Sequence, residues 1–197
     1  MTNSPLLNAF DQKNAAFLTY TVGGDPNKET SLEIFREIAR SGADIIECGL
    51  GHGANIGDGG AIQDGTYRAL SNGIKTDDVF DIIKTLRDEF DTNVIIMTYQ
   101  NKIMSYGEEG FLSKCVESKV AGIICVDWPW PLNLNFAAKC KKNNIDFIQL
   151  LCPTTNEERL KLILNDAHDV VYYISMLSTT GQNLKVSQAE IKDRFNL

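Results

Sequence analysis

The chain of 197 residues carries 19 basic and 26 acidic side chains, for a formal net charge of −7. That length suits one domain, and 43% hydrophobic with 23% charged residues excludes a disordered chain. The acidic balance gives no electrostatic footprint for nucleic acid or an anionic membrane surface, and no apolar run approaches the ~18 residues of a membrane span.

The opening MTNSPLLNAFDQKN has no basic-then-apolar signal pattern, so a cytoplasmic location is expected. The first predicted element is a strand over Phe17–Val22. Asp25-Pro26 then offers an N-cap and a first-turn proline for a helix whose Leu32, Phe35, Ile38 and Ala39 form one apolar face, ended near Gly42. A second strand covers Asp44–Leu50 and runs into a loop holding Gly49, Gly51, Gly53, Gly57, Gly59 and Gly60, with a further helical piece over Ala61–Ser71. Thr76 can cap a helix bearing Val79, Ile83 and Leu86 on one side. Strands follow over Asn93–Tyr99 and Gly122–Asp127, then a helix over Asn133–Lys142 and a strand over Asp146–Leu151. Thr155 and Glu158 have capping-box spacing before Leu160, Ile163 and Leu164, and the last strand covers Val170–Ser175.

Near-continuous apolar strands alternating with amphipathic helices predict a parallel sheet covered on both faces. The repeat is roughly 25 residues with one doubled gap after the second strand, close to the unit of a (β/α)8 barrel. Six strands alone suit an open doubly wound sheet better than a closed barrel, and they leave the first and sixth with unpaired edges. Residue identities must arbitrate.

Glu47 interrupts an apolar strand, and Asp58 follows in a loop of small residues. A carboxylate on a buried strand is costly to ionise without a partner, which suits a general acid or base near neutral pH; a strand-end glutamate facing solvent is the plainer alternative. The glycines lack the order of GxGxxG, and no GK[ST] follows, so a loop enriched in glycine is favoured over a nucleotide cradle. His52 reads as a loop histidine, with His168 far away in a polar turn. The five cysteines, Cys48, Cys115, Cys125, Cys140 and Cys152, show no CxxC spacing and read as reduced, mostly core thiols, with no metal site. Tyr99-Gln100-Asn101 sits at a strand mouth, where a tyrosine can line an aromatic pocket. Trp128 and Trp130, beside Pro129 and Pro131, suggest a contact surface, and Ser175 to Gly181 suggest a lid or an ordinary surface loop.

Taken in order, these residues resemble the alpha subunit of tryptophan synthase. The likeness runs through Thr19-Tyr-Thr-Val-Gly-Gly-Asp-Pro26, Gly42-Ala-Asp-Ile-Ile-Glu47, Asp58-Gly-Gly-Ala-Ile-Gln63 and Arg68-Ala-Leu70. It continues through Tyr99-Gln-Asn101, Val126-Asp127 with Pro129, Cys152-Pro-Thr-Thr155, and Tyr172-Tyr-Ile-Ser175 with Thr180-Gly181. The resemblance implies a single (β/α)8 TIM-barrel domain over 1–197, here covering about six βα units and lacking strands 7 and 8, whose loops hold most of the substrate phosphate. It implies a lyase of tryptophan biosynthesis that cleaves indole-3-glycerol phosphate to indole and glyceraldehyde 3-phosphate by a retro-aldol reaction. An αββα assembly is implied, with a pyridoxal-phosphate-dependent beta subunit and no cofactor on this chain. By motif match Glu47 is the general acid/base and Asp58 the second catalytic carboxylate. Tyr20, Met97, Tyr99, Ile124, Leu151 and Tyr172 match the indole pocket, and Thr180 the lid threonine.

The departures sit at functional places. Between its two acids the family has a proline-aromatic-Ser/Thr-Asp-Pro run where this chain reads Gly51-His52-Gly53-Ala54-Asn55, which should loosen the loop and its coupling to the beta subunit. Trp130-Pro131-Leu132-Asn133 replaces the usual acidic residues after strand 4, and Ser178 stands where glycine is common. The competing expectation is a non-catalytic alpha-like paralogue that binds a partner through the altered loop and Trp128/Trp130. A third is an open-sheet nucleotide enzyme.

Overall fold

In strand β2 (Ile45–Gly49) every residue is buried, so both faces of the sheet are covered. The computed structural model describes residues 4–10, 15–175 and 179. A 3-10 turn at Leu7–Ala9 precedes β1 (Leu18–Val22) and α1 (Lys28–Arg40). After β2 come α2 (Gly60–Ser71), α3 (Thr76–Glu89) and β3 (Asn93–Thr98). Then α4 (Gln100–Tyr106), α5 (Glu108–Glu117), β4 (Gly122–Cys125) and α6 (Leu134–Lys142) lead to β5 (Asp146–Phe147) and β6 (Gln149–Leu151). The described part closes with α7 (Glu157–Asp166) and β7 (Val171–Tyr173).

The strands are parallel and lie in chain order, β1-β2-β3-β4-β5, with β6 pairing β7. A doubly wound sheet would reverse its order at a switch point, so this order overturns the open-sheet expectation and is the winding of a partial barrel. The predicted fifth strand divides at Ile148: Gly122 and Ile123 align with Asp146 and Phe147, whereas Leu150 and Leu151 align with Tyr172 and Tyr173. Ile148 N still donates to Ile123 O at 2.9 Å, so the chain leaves β4 for β7 without a break. Among the described residues β1 has only β2 beside it and β7 only β6, which are the unpaired edges the strand count predicted.

Side chains alternate across the strands and build two cores. Ile46, Cys48, Val94, Ile96, Ile123 and Phe147 point outward against the helices. Ile45, Ile95, Ile124 and Ile148 point inward, with Leu6 from the amino-terminal segment. That segment is clasped to the floor of the sheet: Ser4 N donates to Asp169 Oδ2 at 3.1 Å and Ser4 Oγ to Asp146 Oδ2. His168 belongs to the same clasp. Its side chain is 6% exposed and its Nδ1 accepts from Phe147 N at 3.0 Å, so the polar stretch around it holds a buried, hydrogen-bonded ring.

Three helix starts differ from expectation, one because a long-range partner claims the nominal cap and two because a neighbour three residues away sets the turn. Asp25 is held by Arg68, whose Nε and Nη2 donate at 2.9 and 2.7 Å, and Asn27 caps α1 by accepting from Thr30 N at 2.9 Å. Thr76 begins α3 rather than capping it, and Asp78 Oδ2 accepts from Lys75 N. Thr155 Oγ1 turns to Cys152 N, leaving Asn156 to cap α7. Helices α4 and α5 meet at Gly107 with φ +88°, and the first amide of α4, Gln100 N, is capped at 2.7 Å by Asp127 Oδ1 from the turn after β4.

The tryptophans are not a free surface. Trp128 is 8% exposed and stacks on Phe136 with centroids 5.2 Å apart, while Trp130 donates from Nε1 to Asp166 and lies under the Arg159 guanidinium. Cys48, Cys115, Cys125 and Cys140 are buried free thiols, and Cys152 is half-buried. Among the described residues no helix is long and apolar enough to cross a membrane.

Candidate active site

The register of the inner face assembles the site row by row. Tyr20, Glu47 and Ile95 are aligned across β1, β2 and β3, and Gly49, Met97 and Ile124 form the next row toward the strand carboxyl ends. Parallel aligned residues point to the same face, so Glu47 and Tyr20 stand side by side over the inner core. Gly49 is required there: a Cβ at that position would collide with the hydroxyl and Cζ of Tyr20. We expect Gly49→Ala to displace the phenol, destabilise the fold by about 1–3 kcal/mol in denaturant unfolding, and disorder the pocket beside Glu47.

Glu47 is 3% exposed, and its Oε1 has no hydrogen-bond partner among the described residues. Burial pushes its carboxyl up to about 7, because the charged form loses water and gains no counter-charge. Asp58 is 7% exposed in the loop after β2. Burial raises its pKa as well, opposed by polar contacts from Asn55 and Tyr99. The Asn55 amide nitrogen reaches toward Asp58 without closing a well-formed hydrogen bond.

Three phenols surround the two acids. Tyr20 is held far above its usual range, first by burial and then by Asp58, Cys48, Glu47 and Tyr99, which places both acids within electrostatic reach of one ring. Tyr172 is raised by burial and by Glu47. Tyr99 is pushed up to about 12 by burial, and its hydroxyl accepts from Gly57 N at 3.0 Å. Toward the amino ends of the strands an apolar cavity of about 240 Å³ is lined by Leu6, Phe10, Leu18, Ile45, Ile95 and Tyr172, and neither acid lines it.

Glu47, Asp58, Tyr20, Met97, Tyr99, Ile124 and Tyr172 are thus brought to one end of the inner face. Leu151 is buried at the end of β6 but aligns with Tyr173, whereas Leu150 shares the row of Tyr172 and packs on the inner core. Thr180 and Ser178 lie outside the described residues. Sequence reasoning missed Asn55, Gly57 and the place of His52, whose ring lies 5.4 Å from that of Tyr99; only the fold brings this loop against β3. Among the described residues no group of three or more His, Cys, Asp or Glu side chains is arranged to hold a metal.

Known proteins resemble the chain in sequence and fold. The family model described as "Tryptophan synthase alpha chain" matches residues 6–194. A tryptophan synthase alpha chain of Pelagibacter ubique (strain HTCC1062) is 52% identical over 185 residues, covering 93% of this chain and 69% of that relative. Among solved structures, the tryptophan synthase a2b2 complex of Pyrococcus furiosus superposes with a TM-score of 0.80 at 33% identity, covering 91% of this chain and 72% of that one. Tryptophan synthase subunit alpha of Legionella pneumophila str. Paris gives 0.85 at 28% identity, covering 99% and 72%. By the extent of the family match, and by the identity and coverage of the Pelagibacter relative, the chain belongs to the tryptophan synthase alpha chain family, a family of lyases.

Proposed function

We propose that this chain cleaves indole-3-glycerol phosphate to indole and glyceraldehyde 3-phosphate by a retro-aldol reaction, with Glu47 moving the protons and Asp58 facing the indole nitrogen. The observation that carries the reading is a buried, unpaired Glu47 with a pKa near 7, aligned with Tyr20 and in electrostatic reach of the same phenol as a second carboxylate. A protonated Glu47 delivers its proton to indole C3 and makes the ring system an electrophilic indolenine. An ionised Asp58 accepts from the ring N–H and stabilises the positive charge that develops there. The carboxylate left on Glu47 then takes the glycerol hydroxyl proton as the C–C bond breaks, which returns the acid to its starting state. The phenols serve as hydrogen-bond partners and walls, the Tyr99 hydroxyl accepting from Gly57 N while it keeps its own proton.

By likeness to the Pyrococcus a2b2 assembly, we take the working partner to be a beta subunit that receives the indole, and the location to be the cytoplasm. The acid-base steps are assigned to this chain's own side chains, with pyridoxal phosphate on the partner. The binding-only alternative loses its footing, since Trp128 is packed inside and Trp130 is engaged by Arg159 and Asp166.

The reading is tested by indole release from indole-3-glycerol phosphate, by the chain alone and mixed with a beta subunit, across a pH series. Glu47 must start protonated, so kcat/KM is expected to fall as pH rises through about 7, with a one-proton slope. A profile flat to pH 9 would remove Glu47 from the role of acid.

A further inference from the structure

A separate cavity of about 160 Å³ lies behind the sheet, where the outward-facing Cys125 and Phe147 of β4 and β5 meet the start of α6 and one face of α7. None of the residues assigned to the active site lines it. Trp128, Phe147 and Ile163 give it apolar walls. Asn133 and Gln149, 1% and 3% exposed, exchange two hydrogen bonds of 3.0 Å on one side of it, so these amides hold each other in place. Arg159 is the one ionic side chain among the described residues that line the cavity. Its Nη2 donates to Trp130 O at 2.6 Å, and its guanidinium lies over the Trp130 ring, 5.3 Å from the centroid. Stacking and hydrogen bond hold the fork at the cavity with most of its five N–H donors still open to a ligand. No carboxylate among the described residues lies within ion-pair distance of it, since Asp166 is turned to the indole edge and accepts from Trp130 Nε1 at 2.9 Å.

We propose that this cavity is a binding site for a short-chain carboxylate monoanion, with its carboxylate on the Arg159 fork and its hydrocarbon end against Trp128, Phe147 and Ile163. The planar guanidinium matches a carboxylate edge to edge, and the apolar walls suit the short chain behind it. A volume of 160 Å³ is that of about five waters at ~30 Å³ each, which suits a ligand the size of propionate. A phosphate dianion would set two charges against one cation among apolar walls. An amino acid fits no better, because no acidic side chain lines the cavity to meet its ammonium group.

Both tryptophans of the chain line this cavity, so intrinsic tryptophan emission reads its occupancy without a label. Sodium propionate, titrated against sodium chloride at equal ionic strength, is expected to give a saturable change in emission with a Kd of about 1 mM. Propionamide, the same size without the charge, is expected to bind about tenfold more weakly or not at all, and Arg159→Gln to weaken propionate by a similar factor. A second readout uses Cys152, the half-buried thiol of the same cavity, since the other four cysteines are buried. Iodoacetate, itself a short carboxylate, is expected to alkylate Cys152 about tenfold faster, relative to iodoacetamide, than it alkylates a free cysteine peptide, and propionate to slow it. Peptide mass identifies the alkylated residue. Three results would each overturn the proposal: no saturable response of the wild-type chain to propionate, equal affinity for propionamide, or an iodoacetate preference no greater than that of the free peptide. Those three comparisons use the unsubstituted chain, so they decide the matter even where Arg159→Gln fails to fold. Propionate affinity unchanged in a folded Arg159→Gln overturns it as well.

Discussion

Glu47→Gln is expected to lower indole formation by about 10²–10⁴-fold while leaving a folded protein. Glutamine fills the same space in the row between Tyr20 and Ile95, so the inner packing stays. It has no titrating proton, so neither the protonation of indole C3 nor the removal of the hydroxyl proton has an agent. The loss should fall on kcat more than on KM, because the missing proton transfers belong to the chemical step and not to binding. Steady-state indole release at pH 6 and pH 8 measures it. Activity equal to the wild type at both values would displace Glu47 from the chemistry.

The same substitution is expected to make the fold more stable at alkaline pH. Glu47 has a folded pKa of about 7 against an ordinary value of 4.5. Below pH 4.5 the carboxyl is neutral in both the folded and unfolded chain and costs nothing. As pH rises from there toward 7 the unfolded chain ionises first, and the wild type loses roughly 3 kcal/mol, a loss that is complete once the folded carboxyl has ionised as well. A neutral glutamine escapes this penalty. Its advantage over the wild type in urea unfolding should therefore be small at pH 4.5, grow through pH 6 and level off above 7. A gap that stays constant with pH would show that the burial of Glu47 is relieved in some other way. Against a total stability of about 5–15 kcal/mol the effect is large, and it shows catalytic and conformational needs opposed at one side chain.

Strands were legible in the sequence because burial on both faces writes them as apolar runs, and Glu47 stood out because it is the one charge inside such a run. Asp58 was named in the sequence by its place after Glu47 and by the resemblance, but its surroundings were not legible, because Tyr99 at the end of β3 reaches the adjoining Gly57 and the loop reads as plain glycine-rich chain until β3 is beside it. Helix starts were less legible for a related reason. Asp25 has the chemistry of a cap but is taken by Arg68, and α4 is capped by Asp127, which lies beyond the helix and the next strand. The division of the predicted fifth strand at Ile148 follows from its two neighbours, not from its own residues. The winding of the strands was undecidable from spacing alone, since an open sheet and a barrel use the same βα unit, and only the order of pairing separates them.

The clasp at the floor of the sheet bears on how the chain comes together during synthesis. The partners of Ser4, Asp146 and Asp169, lie 142 and 165 positions further along the chain. No local event can satisfy it, and a loop of that length must close before any return is gained. The clasp therefore forms only once β5 and the turn before β7 are in place, and with it Leu6 closes the inner core from below.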